Sequence, residues 1–306
     1  MDDHADRLRA RRAARAAELR RRRLGGGLLA LAVFVAVAVG IATLGGGTAG
    51  RPAANPAPAA APVVTTAAGP ITTGAAQRTA LARLAAFGLP VYCGAPTKPL
   101  VALTFDDGPG PYTQLAIEKL RRHHLKATFF LVGKSINSYP SLARLERAVG
   151  AVGDHTMTHP FLPGLSQAAM QQQIADARTL IESNSGQPVE VFRPPYGARN
   201  AAIDAEAMAL GLVDVVWTVD SADSLGADYA GIARNVIAGL RPGSIILMHE
   251  NRGQTIRALA TILPALARSH LRAVTLPELL TADPPTPAQL RAGGHGCGGK
   301  GQSPGQ

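Results

Sequence analysis

Residues 100–109, LVALTFDDGP, contain the pattern from which the fold can be predicted. The run Leu100–Phe105 is short and apolar, which is typical of a buried strand, and Gly108 and Pro109 end it at once. Asp106 and Asp107 therefore stand at the end of a strand. Because neighbouring residues at a strand end point in different directions, one carboxylate can face a metal while the other faces a substrate.

The alternation of short apolar runs with helical segments continues along the chain. Further strands are predicted at 127–132, 151–153, 190–192, 213–218, 244–248 and 272–276, and helices at 112–124, 138–148, 166–183, 200–210, 229–240 and 255–269. This order indicates an α/β fold with parallel strands. Seven such units predict a distorted or incomplete (β/α)7-type barrel, in which chemistry gathers at the C-terminal strand ends. Several polar residues lie at or just past those predicted ends, namely Asp106, His155, Arg193, Asp220 and His249.

Two histidines could join one of the carboxylates at a metal ion. His155 and His159 are spaced i, i+4, so on a helical turn or in a tight loop their side chains can converge on one ion. One Asp and two His form the ligand set of a catalytic metal site that keeps open positions for water.

Five short motifs occur in one order along the chain: TFDDGP (104–109), HTMTH (155–159), RPPYG (193–197), WTVDSAD (217–223) and LMH (247–249). They resemble the five motifs of the polysaccharide deacetylase family, carbohydrate esterase family 4, also called the NodB-homology domain. The resemblance covers about residues 98–280. The fourth motif departs from the pattern, because Ser224 stands where the family often has Trp.

The resemblance implies a metal-dependent deacetylase and gives roles to the first two motifs. Asp107, His155 and His159 would bind a divalent metal, and Asp106 would be the general base that takes a proton from water. Two nitrogen donors and one oxygen donor favour zinc, with cobalt, nickel and iron as alternatives. Arg193 would pair with Asp106 and keep it ionised.

The remaining motifs would complete the site. In the family the backbone N–H at the position of Tyr196 stabilises the oxyanion, and Pro195 would stiffen that turn and border the substrate. His249 would be the general acid that protonates the leaving amine, oriented by Asp220, with Asp223 as the alternative partner. The apolar pocket for the acetyl methyl group would be formed by Trp217 and Leu247.

The N-terminal region predicts a membrane anchor. Residues 1–23 hold nine Arg and four acidic residues, and the 21 residues 24–44 contain no charge. As a helix, such a run spans about 32 Å, which matches a hydrocarbon core of about 30 Å. The arginines place 1–23 in the cytoplasm and the rest of the chain outside. A secretory signal peptide cleaved after this run is the alternative.

The remaining segments complete the predicted organisation. Residues 45–75, rich in Pro, Ala and Gly, form a linker, 76–97 a helical lead-in, 98–282 the catalytic domain and 283–306 a flexible tail. The only two cysteines, Cys93 and Cys297, flank this domain, and an oxidising compartment favours a disulfide between them over two free thiols. Aromatic residues make up only 4% of the chain, so a stacking surface for nucleic acid is not expected.

We therefore expect a membrane-anchored, monomeric hydrolase whose catalytic domain lies outside the cytoplasm. Its expected substrate is an N-acetylated polysaccharide, with the amino sugars of peptidoglycan first. Chitin oligosaccharides, poly-N-acetylglucosamine and O-acetylated xylan are alternatives. A non-catalytic glycan-binding protein of the same fold is an alternative of another class. A metal phosphoesterase would need more carboxylates and a phosphate clamp, which the motifs do not offer.

Overall fold

The computed structural model describes residues 74–297. The predicted tail (1–23), the predicted anchor (24–44) and nearly all of the predicted linker (45–75) lie outside the described residues. Within 74–297, no helix is both long enough and apolar enough to cross a membrane.

Eight parallel strands form one sheet, and helices follow most of them. The strands are β1 (Leu100–Gly108), β2 (Ala127–Leu131), β3 (Gly150–Asp154), β4 (Val191–Phe192), β5 (Val213–Asp214), β6 (Val219–Asp220), β7 (Ile245–His249) and β8 (Arg272–Val274). The helices are α1 (Ala75–Ala85), α2 (Thr113–Arg122), α3 (Gly133–Ser138), α4 (Leu142–Arg147), α5 (Gln167–Ser185), α6 (Ala201–Ala209), α7 (Tyr229–Gly239), α8 (Gly253–Arg268), α9 (Leu276–Ala282) and α10 (Pro287–Ala292). Short 3₁₀ turns occur at Leu162–Gly164, Pro195–Gly197 and Gly293–Cys297.

The strand order is β5-β4-β3-β2-β1-β7-β6, and β8 pairs with the first half of β1. The two ends of this path belong to one stretch of chain, residues 213–220. Its start pairs with β4, Val213 against Val191, and its end pairs with β7, Val219 against Ile246. This stretch therefore joins the two edges of the curled sheet, which confirms the predicted parallel α/β barrel of irregular shape.

The alternation of side chains along β1 separates two cores. Val101, Leu103 and Phe105 belong to the core between the sheet and the surrounding helices. Leu100 and Ala102 face the other way, into a core that α1, α9 and α10 complete. Since successive side chains of a strand point to opposite faces, Thr104 and Asp106 continue the inward row. The barrel interior is thus apolar at the start of β1 and polar at its end.

Three predictions about local structure were wrong. The predicted helix 138–148 is shortened to α4 (Leu142–Arg147), and a separate helix that was not predicted, α3, ends at Ser138 before Pro140, because the residue before a proline is disfavoured in helical geometry. The predicted strand 213–218 is shortened to β5 (Val213–Asp214), and β6 (Val219–Asp220) begins just beyond its predicted end and pairs with a different neighbour. The predicted flexible tail is folded as far as Cys297: it contains α10, whose Leu290 is buried.

The two ends of the described region are held to each other. A disulfide joins Cys93 to Cys297, whose Cα atoms are 5.9 Å apart. Nearby, the buried carboxylate of Asp283 accepts hydrogen bonds from the backbone N–H groups of Thr97 (3.1 Å) and Lys98 (3.0 Å). These contacts fix the segment before β1 against the segment after α9.

Candidate active site

The C-terminal ends of β1, β3, β4 and β7 bring the predicted residues together. Asp106 and Asp107 end β1, His155 directly follows β3, Arg193 directly follows β4, and His249 ends β7. All of them except the buried Arg193 line one cleft of about 820 Å³. Parallel strands direct their C-terminal ends to the same edge of a sheet, which is why residues distant in sequence meet here.

Asp107, His155 and His159 form a cluster that can hold a metal ion. Each offers one ligand atom, and these atoms all lie within 4.8 Å of one another. His159 Nε2 is 3.3 Å and His155 Nε2 is 3.7 Å from Asp107 Oδ1. Two imidazole nitrogens and one carboxylate oxygen suit zinc and similar divalent ions, so the residues present fit a catalytic metal.

A tight loop, rather than a helical turn, brings the two histidines together. Thr156 and His159 both have positive φ, 69° and 60°. Asp154 Oδ1 accepts a hydrogen bond from the Thr156 N–H at 2.7 Å, and Thr156 Oγ1 accepts one from the His159 N–H at 3.0 Å. Short polar side chains thus satisfy the backbone of a loop that the i, i+4 spacing alone did not distinguish from a helix.

The orientation of His155 is set by the strand next to it. His155 Nδ1 lies 2.7 Å from the carbonyl oxygen of Arg193. Because a carbonyl oxygen only accepts, Nδ1 donates this hydrogen bond, which leaves Nε2, on the side of Asp107, as the nitrogen that can bind a metal ion. The ring of His155 is almost fully buried, so water does not compete for its hydrogen bond to the Arg193 carbonyl oxygen.

The protonation states of the cluster suit metal binding. Burial raises the pKa of Asp107, but His155, His249 and His159 more than offset this effect, so its pKa lies below the ordinary value. Burial and the neighbouring His155 lower the pKa of His159. A carboxylate and a neutral imidazole are the forms that bind a metal.

Asp106 is held by a buried arginine. Arg193 Nη1 donates to Asp106 Oδ1 at 2.7 Å and to Thr104 Oγ1 at 2.8 Å. Its other nitrogens donate to the carbonyl oxygens of Val215 (3.2 Å) and Val216 (3.0 Å). Burial lowers the pKa of Arg193, although Asp106 raises it in part, and a guanidinium remains charged in proteins.

The second oxygen of Asp106 remains available to the site. Asp106 Oδ2 lies 3.7 Å from His155 Nε2, on the side of the metal cluster. The Arg193 guanidinium lies 4.1 Å from the ring centre of Phe130, which covers it inside the barrel. Arg193 therefore holds one oxygen of Asp106 and leaves the other facing the cleft.

His249 is paired with Asp223 and not with Asp220, which corrects the first of the two predicted partners. His249 Nδ1 is 2.7 Å from Asp223 Oδ1, and the His249 N–H donates to Asp223 Oδ2 at 2.8 Å. Asp220 Oδ1 instead accepts from the Ala222 N–H at 2.7 Å. Burial lowers the pKa of His249, but the hydrogen bond and charge of Asp223 raise it above the ordinary value overall.

The predicted substrate-contacting residues divide into two groups. Trp217 and Leu247 line the cleft, as does Tyr196, whose ring packs edge-on against His159 with centroids 4.6 Å apart. Tyr196 has φ 64° and ψ 4°, a left-handed backbone conformation that is uncommon outside glycine. Pro195, by contrast, is buried and does not line the cleft, so its contact with substrate stays a prediction.

Two contacts around the aspartate pair were not predicted. Asn251 Nδ2 donates to Asp107 Oδ2 at 3.1 Å, and its position just past β7 is the signal that could have identified it. Glu250 and Glu146 are fully buried on the other side of the turn that follows Asp107. A Cβ atom at Gly108 would lie 1.5 Å from Glu250 Oε1, so only glycine fits between them.

Comparisons with known proteins agree with this arrangement. The family model "Polysaccharide deacetylase" matches residues 94–215. A peptidoglycan-N-acetylglucosamine deacetylase of Bacillus cereus is 35% identical over 188 residues, which are 59% of this chain and 88% of that protein. A chitooligosaccharide deacetylase of Bradyrhizobium is 35% identical over 196 residues, which are 58% of this chain and 90% of that protein.

One solved structure of similar fold is named as a pseudoenzyme and not as a deacetylase. A pseudoenzyme of carbohydrate esterase family 4 from Bacillus anthracis aligns with a TM-score of 0.60 and 30% identity, covering 64% of this chain and 69% of its own. The fold thus occurs both in proteins named as deacetylases and in a protein named as a pseudoenzyme. Whether a chain of this fold catalyses deacetylation therefore depends on the side chains of its site.

Proposed function

Since the chain belongs to the polysaccharide deacetylase family, we propose that it is a metal-dependent hydrolase that removes N-acetyl groups from a cell-wall polysaccharide. The proposal rests on the grouping of a metal cluster, a candidate base and a candidate acid in one cleft. The metal cluster of Asp107, His155 and His159 lies in one cleft with a carboxylate held by a buried arginine and with a histidine held by a carboxylate. The carboxylate, Asp106, and the histidine, His249, are the base and the acid that amide hydrolysis requires.

The chemistry divides between the two sides of the cleft. A divalent ion held by the cluster would supply Lewis acidity to the acetyl carbonyl and to the attacking water. Asp106 accepts the proton of that water as the new carbon–oxygen bond forms, while the hydrogen bond from Arg193 holds its carboxylate in place. The N–H of Tyr196 donates a hydrogen bond to the oxyanion that develops on the carbonyl oxygen.

Breakage of the carbon–nitrogen bond needs a proton at the nitrogen. His249 donates that proton as the amine leaves, and Asp223 stabilises the charged imidazole from its other nitrogen. The products are acetate and a glycan with a free amine. Trp217 and Leu247 supply an apolar wall in the cleft that suits the acetyl methyl group.

Zinc is the metal we propose, because two imidazoles and one carboxylate with an open position form the donor set of catalytic zinc sites. Cobalt, nickel and iron accept the same donors. Peptidoglycan amino sugars are the proposed substrate, supported by the Bacillus cereus relative. Chitin oligosaccharides are the alternative, supported by the Bradyrhizobium relative.

We also propose that residues 24–44 anchor the chain in the membrane with the catalytic domain outside the cytoplasm. The uncharged run after four arginines motivates the proposal. The disulfide between Cys93 and Cys297 supports it, because disulfides persist in oxidising compartments. Cell fractionation should find the full chain in membranes. If the protein is instead found soluble in the culture supernatant, with an N-terminus after residue 44, the run is a cleaved signal peptide and not an anchor.

The function is tested by acetate release from the full chain loaded with zinc. Peptidoglycan glycan strands and an N-acetylglucosamine tetramer are incubated with the protein, and acetate and free amine are measured in parallel. Equal amounts of the two products, lost in Asp106→Asn, are expected. Glycan binding without acetate release, in protein shown by elemental analysis to hold its metal, would instead identify a non-catalytic glycan-binding protein.

A further inference from the structure

Arg252 lies in the cleft close to the metal cluster. It follows Asn251, whose Nδ2 contacts Asp107 Oδ2 at 3.1 Å, and it stands three residues after His249. Its side chain lines the same cleft as Asp107 and His249. A group bound next to the reacting acetamide would therefore lie within reach of Arg252.

The guanidinium of Arg252 has no partner within residues 74–297. Its Nε is shielded from solvent and has no hydrogen-bond acceptor, and no carboxylate of the described residues lies within ion-pair distance of the side chain. Arg193, buried beside the cleft, holds the carboxylate of Asp106, and Arg241, the other arginine that lines the cleft, donates to the carbonyl oxygen of Cys297 at 3.4 Å. Arg252 differs from them because its shielded Nε has no acceptor among the described residues.

The acidic groups of the cleft are already engaged elsewhere. Asp106 is bound by Arg193, Asp107 belongs to the metal cluster, and Asp220 accepts the Ala222 N–H. Asp223 is bound to His249 and Thr255. A ligand that occupies the cleft can therefore supply an acceptor that these carboxylates do not.

We infer that Arg252 forms a subsite for a carboxylate carried by the glycan beside the sugar that loses its acetyl group. A shielded guanidinium donor without an acceptor costs free energy, and a carboxylate is the group whose two oxygens match the guanidinium fork. The inference rests on the proposed function and narrows its substrate class. It selects glycans with an acid-bearing sugar, such as the lactyl ether of muramic acid in peptidoglycan, over neutral chitin oligomers.

The test compares two glycans of equal length in the zinc-loaded full chain. One is a neutral N-acetylglucosamine tetramer, and the other alternates N-acetylglucosamine with N-acetylmuramic acid. A third substrate is the second glycan with its lactyl carboxylates converted to methyl esters. The value of kcat/KM is measured for wild type, Arg252→Gln and Arg252→Lys. The control is Arg268→Gln, which removes an exposed charge at the far end of α8, the helix that begins directly after Arg252.

Wild type should prefer the acidic glycan to its methyl ester. Arg252→Gln should lose about 10- to 100-fold more kcat/KM on the acidic glycan than on the neutral tetramer, the size expected for a hydrogen bond to a charged group, with most of the loss in KM. Arg252→Lys should recover part of this difference, because a point charge remains but the fork is lost. Arg268→Gln should match wild type on all three substrates.

The carboxylate subsite and the deacetylase activity can fail separately in this experiment. Equal losses on the acidic and neutral glycans in Arg252→Gln, or equal wild-type kcat/KM for the acid and its ester, would overturn the carboxylate subsite and leave the deacetylase intact. Absence of acetate release from every substrate by metal-loaded wild type would overturn the proposed function itself.

Discussion

His249 Nδ1 lies 2.7 Å from Asp223 Oδ1, and the same carboxylate accepts the backbone N–H of His249. Thr255 Oγ1 donates to the other oxygen at 2.6 Å. Three donors therefore converge on one carboxylate, and its pKa lies below the ordinary value because these bonds outweigh the effect of burial. Asp223 is thus an ionised orienting group for the candidate acid on β7.

Asp223→Asn should lower the pKa of His249 and reduce turnover. Asp223 raises the pKa of His249, so its neutralisation shifts the basic limb of the kcat/KM profile to lower pH. Turnover at neutral pH should fall by about 10²-fold or more, the lower end of general-acid contributions. The profile is measured from pH 5 to 10 by acetate release. Asp220→Asn is the matched control, and an equal shift in that variant would contradict the assignment.

His155→Ala and His159→Ala should each remove the metal and the activity together. A site with two remaining donors loses most of its affinity, because the ion needs the full set of ligands for its geometry. Metal content per chain is measured by elemental analysis after dialysis. His124→Ala changes an exposed histidine and should keep full occupancy. Full metal occupancy in His155→Ala would exclude His155 as a ligand.

Asp106→Asn should keep the metal and lose about 10²- to 10⁴-fold in kcat, the range of general-base contributions. The amide retains the shape of the side chain and its hydrogen bond to the barrel interior, so the metal cluster should stay assembled. Metal content and kcat are measured on the same preparation. Loss of the metal in this variant would show that Asp106 serves the cluster instead of the proton transfer.

The buried Glu146–Glu250 pair should make the metal-free fold less stable as pH rises. Burial raises the pKa of Glu250 from 4.5 to about 7, and burial and Glu250 raise that of Glu146. The folded state then holds protons that the unfolded state has released, so the contribution of the pair to stability is fully present below pH 4.5 and is lost as pH rises through about 7.

Denaturant unfolding of the metal-free protein at several pH values measures this dependence. At about 1.4 kcal/mol per pKa unit, the Glu250 contribution is on the order of 3 kcal/mol across that window. Glu250→Gln should flatten the curve, since the amide does not titrate. Glu118→Gln, at an exposed residue paired with Arg122, should leave the slope unchanged. Parallel curves for wild type and Glu250→Gln would rule out a proton held by the pair.

Much of the site could be predicted from local sequence. An apolar run that ends in Asp106-Asp107 marks a strand end, and parallel strands direct their C-terminal ends to one edge. That rule alone places His155, Arg193 and His249 beside the aspartates, and the structure brings them together in this way. The inward direction of Asp106 likewise follows from the two-residue period of β1.

The choice between Asp220 and Asp223 required the tertiary structure. Both lie within a few residues of β6, but Ala222 has a positive φ of 59°, and the backbone turn there aims Asp223 at His249. Side-chain direction in such a turn depends on backbone conformation that a residue pattern does not specify. The same limit applies to the HTMTH loop, where two positive φ values replace the helical turn that the spacing allowed.

The sequence by itself determined the alternation of strands and helices, the strand-end position of the candidate site and the residues of the candidate metal cluster. These features depend on short-range periodicity and residue type. Only the tertiary structure decided that residues 213–220 join both edges of the barrel, that Glu146 meets Glu250, and that Arg252 faces the cleft without a partner. Each of these depends on packing between segments far apart in sequence, where the free energy of burial and not local preference selects the neighbour.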